Sequence, residues 1–190
     1  MKSAGSVKKR DGALSRRRIA EGALDILRSR GLGALSARRL AAEMGCEAMS
    51  LYHYFDGMED ILDQLVDLIL ESLAPPARQR TSDPEKAILA RARRYLDLSR
   101  SDPECFRLIA TRRWLGPNGA ARAREMTDLF IAAGVEERKA LAAARALGAY
   151  IHGAGLALSA WRSRKEDARP VIADLDAGLK TLIAALIAKG

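Results

Sequence analysis

Apolar residues recur at spacings of three and four along most of the chain, which is the period that places them on one face of a helix. The first such face follows Ser15 and carries Ile19, Ala23 and Ile26. No stretch of convincing length alternates apolar and polar residues as a half-buried strand does. The pattern therefore predicts an all-α chain of about nine helices.

Glycines, prolines and capping residues divide this periodic sequence into separate helices. Ser36 has a hydroxyl that can accept from an exposed helix amide, and Gly45 suits a break between helices. The tetrapeptide Ser-Asp-Pro-Glu occurs at 82–85 and 101–104, and its Asp, Pro and Glu all suit a helix start. The predicted helices lie at 15–31, 36–44, 47–55, 58–73, 84–100, 103–113, 118–133, 136–163 and 171–188.

The three helices before residue 56 are predicted to form a helix-turn-helix arrangement. The turn at Gly45 sets the third helix at a steep angle to the second, so that the third can enter the major groove of DNA. The apolar residues of this stretch can fill a small core, namely Leu40, Ala41, Met44, Cys46, Leu51 and Phe55. The polar residues between them are left outside as a candidate DNA-binding surface.

The stretch from Leu35 to Phe55 resembles the DNA-binding domain of the TetR-type transcriptional regulators. The resemblance rests on the serine-capped second helix, the Ala41-to-Cys46 turn and the run Leu51-Tyr52-His53-Tyr54-Phe55, and it covers residues 15–62. It implies an N-terminal three-helix DNA-binding domain with a helix-turn-helix, followed by a larger helical domain for ligand binding and dimerisation. The expected divisions are a flexible basic arm at 1–14, the DNA-binding domain at 15–57, and the effector and dimerisation domain at 58–190, in which 58–73 is the connecting helix.

The resemblance also implies the partners of the chain. They are a palindromic double-stranded DNA operator, a second copy of the chain in a homodimer, and a small-molecule effector of unknown class that releases the operator. A repressor without cofactor is the expected activity. An architectural DNA-binding protein that needs no effector is the alternative that the sequence leaves open.

The candidate DNA contacts combine hydroxyls for phosphates with groups that can reach base edges. Tyr52 could belong to the core, but Leu51 and Phe55 already supply an inward pair. Arg38 can read guanine with two hydrogen bonds or remain a solvated charge. The expected DNA-binding residues are Ser36, Arg38, Ala48, Met49, Ser50, Tyr52, His53 and Tyr54, with Lys8, Lys9, Arg10 and Arg17 from the basic N-terminal segment.

The net charge of +8 is concentrated near the N-terminus. Residues 1–55 hold 11 lysines and arginines against 5 acids, whereas residues 56–190 hold 21 against 19. In the family that the chain resembles, the fourth helix usually starts with a lysine that lies over a phosphate, but here Met58 stands at that position and is followed by Glu59 and Asp60. We therefore expect the basic arm to supply the missing attraction to DNA.

The C-terminal part carries two further sets of candidate residues. The expected ligand-binding residues are Phe106, Trp114, Met126, Phe130, Tyr150 and His152, although each of them could be ordinary core. Arg112 and Arg113 could attract an anionic ligand or be exposed. The expected dimerisation residues are Gly148 and Gly155, with the seam of Leu175, Leu179, Leu182 and Leu186 on the last helix.

Other classes of protein fit the sequence less well. Cys46 and Cys105 cannot form a disulfide framework, and with His53 and His152 they show no metal-ligand spacing. Cys46 is expected to be a small buried residue instead of a redox sensor. No phosphate-binding glycine loop and no catalytic triad is present, so an enzyme is not expected. A signal peptide and a membrane span are not expected either, and the cytoplasm is the expected compartment.

Overall fold

Helices make up the structure, as the apolar spacing predicts. The computed structural model describes residues 13–76, 81–162 and 169–188, and within these ranges it contains helices and no strand. The helices are α1 (Arg16–Arg30), α2 (Ala37–Met44), α3 (Ala48–Leu51), α4 (Met58–Ser72), α5 (Pro84–Ser101), α6 (Pro103–Thr111), α7 (Pro117–Ala132), α8 (Glu137–Arg162) and α9 (Arg169–Ala188), with a 3₁₀ turn at Leu32–Ala34. Lys8, Lys9 and Arg10 of the basic arm lie outside the described residues.

The capping residues that were predicted from the sequence start their helices. The Ser36 hydroxyl accepts a hydrogen bond from the Arg39 amide at 3.3 Å. Asp83 and Asp102, from the two Ser-Asp-Pro-Glu segments, accept from the third amide along α5 and α6, and a proline occupies the first turn of each helix. Gly45 has φ 68°, so glycine is required where α2 turns towards α3.

The third helix is shorter than the sequence pattern indicates. It was predicted at 47–55, but α3 ends at Leu51 and residues 52–54 form a turn. The Tyr52 amide donates to Met49 O at 3.1 Å and the Tyr54 amide to Leu51 O at 3.0 Å. These bonds span three residues instead of four, so the last part of the recognition segment is wound more tightly than an α-helix.

The fourth helix packs against both halves of the chain. Ile61 and Leu65 are fully buried and belong to the same core cluster as Ile19 of α1 and Phe106 of α6. Arg28 of α1 also pairs with Asp102 at the start of α6, with Nε and Oδ2 2.6 Å apart. The connecting helix is therefore continuous with both cores, so the expected boundary at residue 58 is not a break in packing.

The last two helices use their leucine seam inside the subunit. Leu179 is fully buried, and Leu175, Leu182 and Leu186 pack against the core cluster. A side chain at Gly155 would overlap the Phe106 ring, so this glycine allows α6 to approach α8. The prediction that Leu179 and Gly155 face a partner subunit is therefore wrong. The exposed residues in the C-terminal half of α8 and at the end of α9 include several small ones, namely Gly153, Ala157, Ala184, Ala185 and Ala188.

Helix α8 contains a long segment with few charged residues. The segment Glu137–Ser159 is long and apolar enough to cross a membrane by length and composition, and 33% of its apolar window is buried inside the subunit. The core helices of soluble proteins pass the same test. Leu147, Ile151 and Ala154 of this segment are buried against the other helices.

Candidate nucleic-acid interface and internal cavity

The outer surface of α2 and α3 presents the residues that the sequence analysis assigned to DNA. Met49 is 68% exposed, Tyr52 40% and Tyr54 37%, whereas Leu51 and Phe55 between them are buried. Arg38, Ser36 and His53 are also exposed, and Ala48 and Ser50 are half-buried. The division into inward and outward positions thus follows the predicted one, and the outward residues include both polar and apolar groups.

A shallow depression next to this surface gathers positive charge. Its walls include Ser36 and Arg38 together with Arg30 and Arg39, which the sequence analysis did not identify. Arg30 is paired with Glu43 at 3.2 Å, and Arg39 donates to the carbonyl oxygen of Ala34. Arg38 makes no hydrogen bond or ion pair with another described residue, so its guanidinium group is available to a partner.

Two arginines at the start of α1 are held by acids of α4. The Arg17 guanidinium lies 3.0 Å from Glu71 and 3.2 Å from Glu21, so it is already paired, although its side chain is 63% exposed. Arg16 stacks over the Phe55 ring, with 4.1 Å from Cζ to the ring centroid, and pairs with Asp60 at 2.6 Å. The hydrogen bond from Arg16 lowers the pKa of Asp60 and keeps this carboxylate ionised.

The acids at the start of α4 are therefore neutralised by cations within the chain. Asp60 is paired with Arg16, and Glu59 is paired with Arg112, whose Nη2 lies 2.8 Å from the carboxylate. The same Arg112 nitrogen lies 2.8 Å from Asp63. Arg112 and Arg16 thus offset the charge of these acids, whereas the expectation that the basic arm supplies the missing attraction to DNA stays a prediction.

A cavity of about 500 Å³ lies between α5, α7 and α8, close to the end of α4 and the α6–α7 loop. Of the six predicted ligand-binding residues, Trp114, Met126 and His152 line it. Phe106 and Phe130 are fully buried in the core instead, and the Tyr150 hydroxyl donates to Leu175 O at 2.8 Å between α8 and α9. These three residues are not part of the cavity wall.

The cavity wall also contains charged residues that were not predicted. Arg91, Arg122 and Glu125 form a cluster in which Arg91 Nε lies 2.8 Å and Arg122 Nη1 3.3 Å from the Glu125 carboxylate. Arg112, which the sequence analysis had considered, lines the cavity as well. The only local signal for the cluster is the spacing of three between Arg122 and Glu125, which is also common on exposed helix faces.

The aromatic residues of the cavity form a connected group. The Tyr95 and Trp114 rings are stacked with centroids 5.8 Å apart, and the His152 ring meets Trp114 edge-on at 5.9 Å. The Trp114 indole nitrogen donates to Ile109 O at 2.9 Å, which fixes the ring. Burial lowers the pKa of His152 and raises that of Tyr95, so both side chains are uncharged at neutral pH.

A buried carboxylate connects the connecting helix to the cavity domain. Asp67 of α4 is 4% exposed and accepts hydrogen bonds from the Asn118 amide at 2.8 Å, the Asn118 side chain at 2.8 Å and the Gly119 amide at 3.1 Å. These amides are at the start of α7, where a negative charge is favoured by the helix dipole. The sequence analysis missed this residue because Asp67 lies among the apolar residues of α4.

The two cysteines are placed as packing residues. Cys46 is half-buried against the core cluster, and burial raises the pKa of its thiol. Burial, together with the neighbouring Asp102, raises the pKa of Cys105 to about 12. Both groups are therefore protonated thiols at neutral pH and poor nucleophiles.

Comparison with known proteins identifies a family match in the N-terminal part and relatives that align with most of the chain. Residues 19–65 match the family model described as bacterial regulatory proteins of the tetR family. The repressor DrrR1 of Streptomyces coeruleorubidus is 31% identical over 137 residues, which are 72% of this chain and 51% of that protein. An HTH-type transcriptional regulator of Saccharopolyspora erythraea is 32% identical over 155 residues, or 80% of this chain and 64% of the relative. The chain thus spans between half and two thirds of the length of these relatives, which are named as regulators and not as enzymes.

Solved structures match the fold over nearly the whole chain. The Streptomyces coelicolor protein ActR in complex with (S)-DNPA has a TM-score of 0.79 at 23% identity, covering 94% of this chain and 99% of that one. A TetR variant from Acinetobacter baumannii in complex with minocycline has a TM-score of 0.77 at 23% identity, covering 91% and 96%. BioQ with its double-stranded DNA operator has a TM-score of 0.75 at 22% identity, covering 93% and 99%. At these identities the similarity establishes the arrangement of helices.

Proposed function

Because the chain belongs to the tetR family of bacterial regulatory proteins, we propose that it is a transcriptional repressor that a small molecule releases from its operator. The observation that carries the proposal is the combination of an outward row of residues on α2 and α3 with a cavity of about 500 Å³ in the helices that follow. The size of the cavity lies within the range of small-molecule sites. The name of DrrR1 as a repressor favours repression over activation.

The DNA-binding step uses α3 in the major groove. Met49 is the most exposed side chain there and can contact a thymine methyl, while the unpaired Arg38 of α2 can donate two hydrogen bonds to guanine. Ser36 caps α2 at a helix N-terminus, where a phosphate is favoured, and the hydroxyls of Tyr52 and Tyr54 reach neighbouring phosphates. BioQ, which shares the fold, was solved with its operator, and this supports an operator as the partner here.

The repressor acts as a homodimer on a palindromic operator. The solvent-facing small residues of α8 and α9, among them Gly153, Ala157, Ala184 and Ala185, allow close approach of the same two helices from a second subunit. Such a dimer places its recognition helices in successive major grooves, about 34–36 Å apart. The leucine seam of α9 then supports the interface from inside each subunit.

Arg112 connects the cavity to the DNA-binding domain. Its guanidinium lines the cavity and also bridges Glu59 and Asp63, in the first two turns of α4. An effector that changes the position of Arg112 changes the support of α4, and α4 packs directly on α1. The coupling free energy between two such sites is typically about 1–3 kcal/mol and is reciprocal.

Operator selection tests the proposal. The full chain is incubated with a library of random duplexes, and the bound duplexes are sequenced and used to measure affinity by fluorescence anisotropy. We expect an inverted repeat, bound at nanomolar concentration by a species that sediments as a dimer. Enrichment of no sequence above the library would contradict the proposal, and a monomer in sedimentation would contradict its dimeric form.

The coupling step is tested with Arg112→Gln once an effector is available from a thermal-shift screen of metabolites. Effector and operator affinities are each measured with and without the other ligand. We expect the variant to reduce the reciprocal coupling factor at least about threefold, because the bridge to α4 is lost. An unchanged factor would exclude Arg112 as the connection. If no compound binds and the operator is still recognised, the protein is a regulator or architectural DNA-binding protein without an effector.

A further inference from the structure

Arginine outnumbers acid in the cavity wall. Within the described part of the chain, four arginines and a single carboxylate, that of Glu125, line the cavity. Glu125 is shared by two of the arginines, Arg91 and Arg122, whose side chains are only 12% and 17% exposed. One carboxylate cannot neutralise two half-buried guanidinium groups, so this cluster holds an excess positive charge in a partly desolvated place.

Two of these arginines hold hydrogen-bond donors that are not used. Nε and Nη1 of Arg122 are buried and donate no hydrogen bond within the described chain, although Nη1 is close enough to Glu125 for an ion pair. Nε of Arg112 is likewise buried without an acceptor. Buried donors in native proteins nearly always have a partner, and a guanidinium group matches the geometry of a planar anion. These charged donors therefore favour a ligand that brings a negatively charged acceptor to Arg122.

The remaining wall favours a flat apolar body. The stacked rings of Tyr95 and Trp114 form one side, and Met126 and Leu147 are further apolar lining residues. The Trp114 indole nitrogen is already bonded to a backbone carbonyl, so the ring offers its apolar surface to a ligand. Among apolar ligands, an aromatic one makes the most favourable contacts with such a wall, because it can stack on these rings or meet them edge-on.

We infer that the effector is an aromatic anion, whose carboxylate, sulfonate or phenolate group is bound by Arg122 while its rings pack against Trp114. The inference rests on the proposed function, because it names the chemical class of the ligand in the same cavity. Arg122 makes charge-assisted hydrogen bonds to the anion, and Arg91 keeps Glu125 from repelling it. The uncharged His152 and Tyr95 contribute shape and not charge.

A matched pair of fluorescent probes tests the inference without DNA. 1-Anilinonaphthalene-8-sulfonate and N-phenyl-1-naphthylamine share the aromatic skeleton and differ in the sulfonate group. Both are titrated into the full chain, into Arg122→Met and into Arg122→Lys. The control variant is Arg124→Met, because Arg124 lies on the same helix, is exposed and does not line this cavity. Energy transfer from tryptophan in the wild type and in Trp114→Phe locates the bound probe.

We expect the sulfonate to bind the wild type at least about tenfold more tightly than the neutral probe, which corresponds to a charged hydrogen bond of about 1.5 kcal/mol. Arg122→Met removes this preference and leaves the neutral probe unaffected, Arg122→Lys keeps part of it, and Arg124→Met keeps all of it. Equal affinity of the two probes for the wild type would overturn the inference. The inference would also fail if Arg122→Met weakened the binding of both probes by the same factor. Thermal melts confirm that each variant is folded. Because the operator is absent, failure here leaves the proposed DNA binding intact, and failure of operator selection leaves this result intact.

Discussion

The outer face of α2 and α3 and the cavity between α5, α7 and α8 both present arginine, but in different surroundings. Arg38 on the outer face is exposed and unpaired within the described chain, whereas Arg122 in the cavity is half-buried and shares Glu125 with Arg91. The residues of the face lie within Ser36–Tyr54, while the cavity wall draws residues from between Leu73 and His152. A site for a long, regular polymer can be built on one short segment, but a site that encloses a small molecule needs several helices.

The largest expected effect is on stability, at the contact between α4 and the start of α7. Asp67→Ala removes the carboxylate that accepts three hydrogen bonds from Asn118 and Gly119 and leaves buried donors unsatisfied. We expect the free energy of unfolding to fall by about 3 kcal/mol, measured by urea denaturation at a fixed protein concentration.

Asp67→Asn is the matched control for this variant. It preserves the shape and one acceptor, and the Asn118 amide can rotate to accept from it, so we expect a loss of about 1 kcal/mol. Equal stability of the alanine variant and the wild type would show that the start of α7 does not depend on α4. The two regions would then be less closely joined than the hydrogen bonds indicate.

The two regions also differ in what their sequence predicts. Around α2 and α3, the cap at Ser36, the turn at Gly45 and the inward pair of Leu51 and Phe55 are local, so the pattern predicts which residues face outwards. The tighter winding after Leu51 was not predicted, because helical periodicity does not distinguish an α-helix from a final turn with three-residue bonds.

The cavity and the two C-terminal helices were predicted less well, because their side-chain positions depend on how the helices pack against one another. Phe106 and Phe130 are as apolar as cavity residues but fill the core, and Arg122 resembles a surface residue in sequence although it lines the cavity. The seam of α9 has the spacing of a dimer interface, and the same spacing also suits packing inside the subunit, where Leu179 lies. Only the contacts between helices decide between these alternatives.

A pair of glycines on α8 sharpens this distinction. In Gly155→Ala the new methyl group meets the Phe106 ring, so we expect a loss of about 2 kcal/mol in the free energy of unfolding from overpacking. Gly148→Ala is the control, because Gly148 lies on the cavity side of the same helix, no described atom lies within 4 Å of the new methyl group, and alanine favours the helix by up to about 1 kcal/mol. If the two variants melt at the same temperature, α6 does not rely on Gly155 for its approach to α8.

On the DNA side, Arg38→Ala tests whether the unpaired guanidinium reads a base. We expect a loss of about 1–3 kcal/mol in the free energy of binding to the selected operator, together with a relaxed preference at one base pair. Tyr52→Phe serves as the comparison, because the loss of a phosphate contact weakens binding to all duplexes alike. Anisotropy titrations on the operator and on single-substitution duplexes measure both. If Arg38→Ala weakened binding to random duplexes as much as binding to the operator, Arg38 would contact phosphate instead of a base.

The smallest effect is expected at Met58, the first residue of α4, where the resemblance to the TetR-type regulators led us to expect a lysine. Met58→Lys adds a cation at a position whose neighbouring acids, Glu59 and Asp60, are already paired with Arg112 and Arg16. Because those carboxylates are occupied, the new ammonium group is available to a phosphate, and we expect the slope of log affinity against log salt to steepen by about 0.9. Operator titrations between about 50 and 200 mM salt measure the slope. Ile131→Lys adds the same charge at an exposed position at the far end of α7 and should leave the slope unchanged. Equal slopes for wild type and Met58→Lys would show that the start of α4 lies away from the DNA backbone, and the paired acids would then serve only to join α4 to α1 and α6.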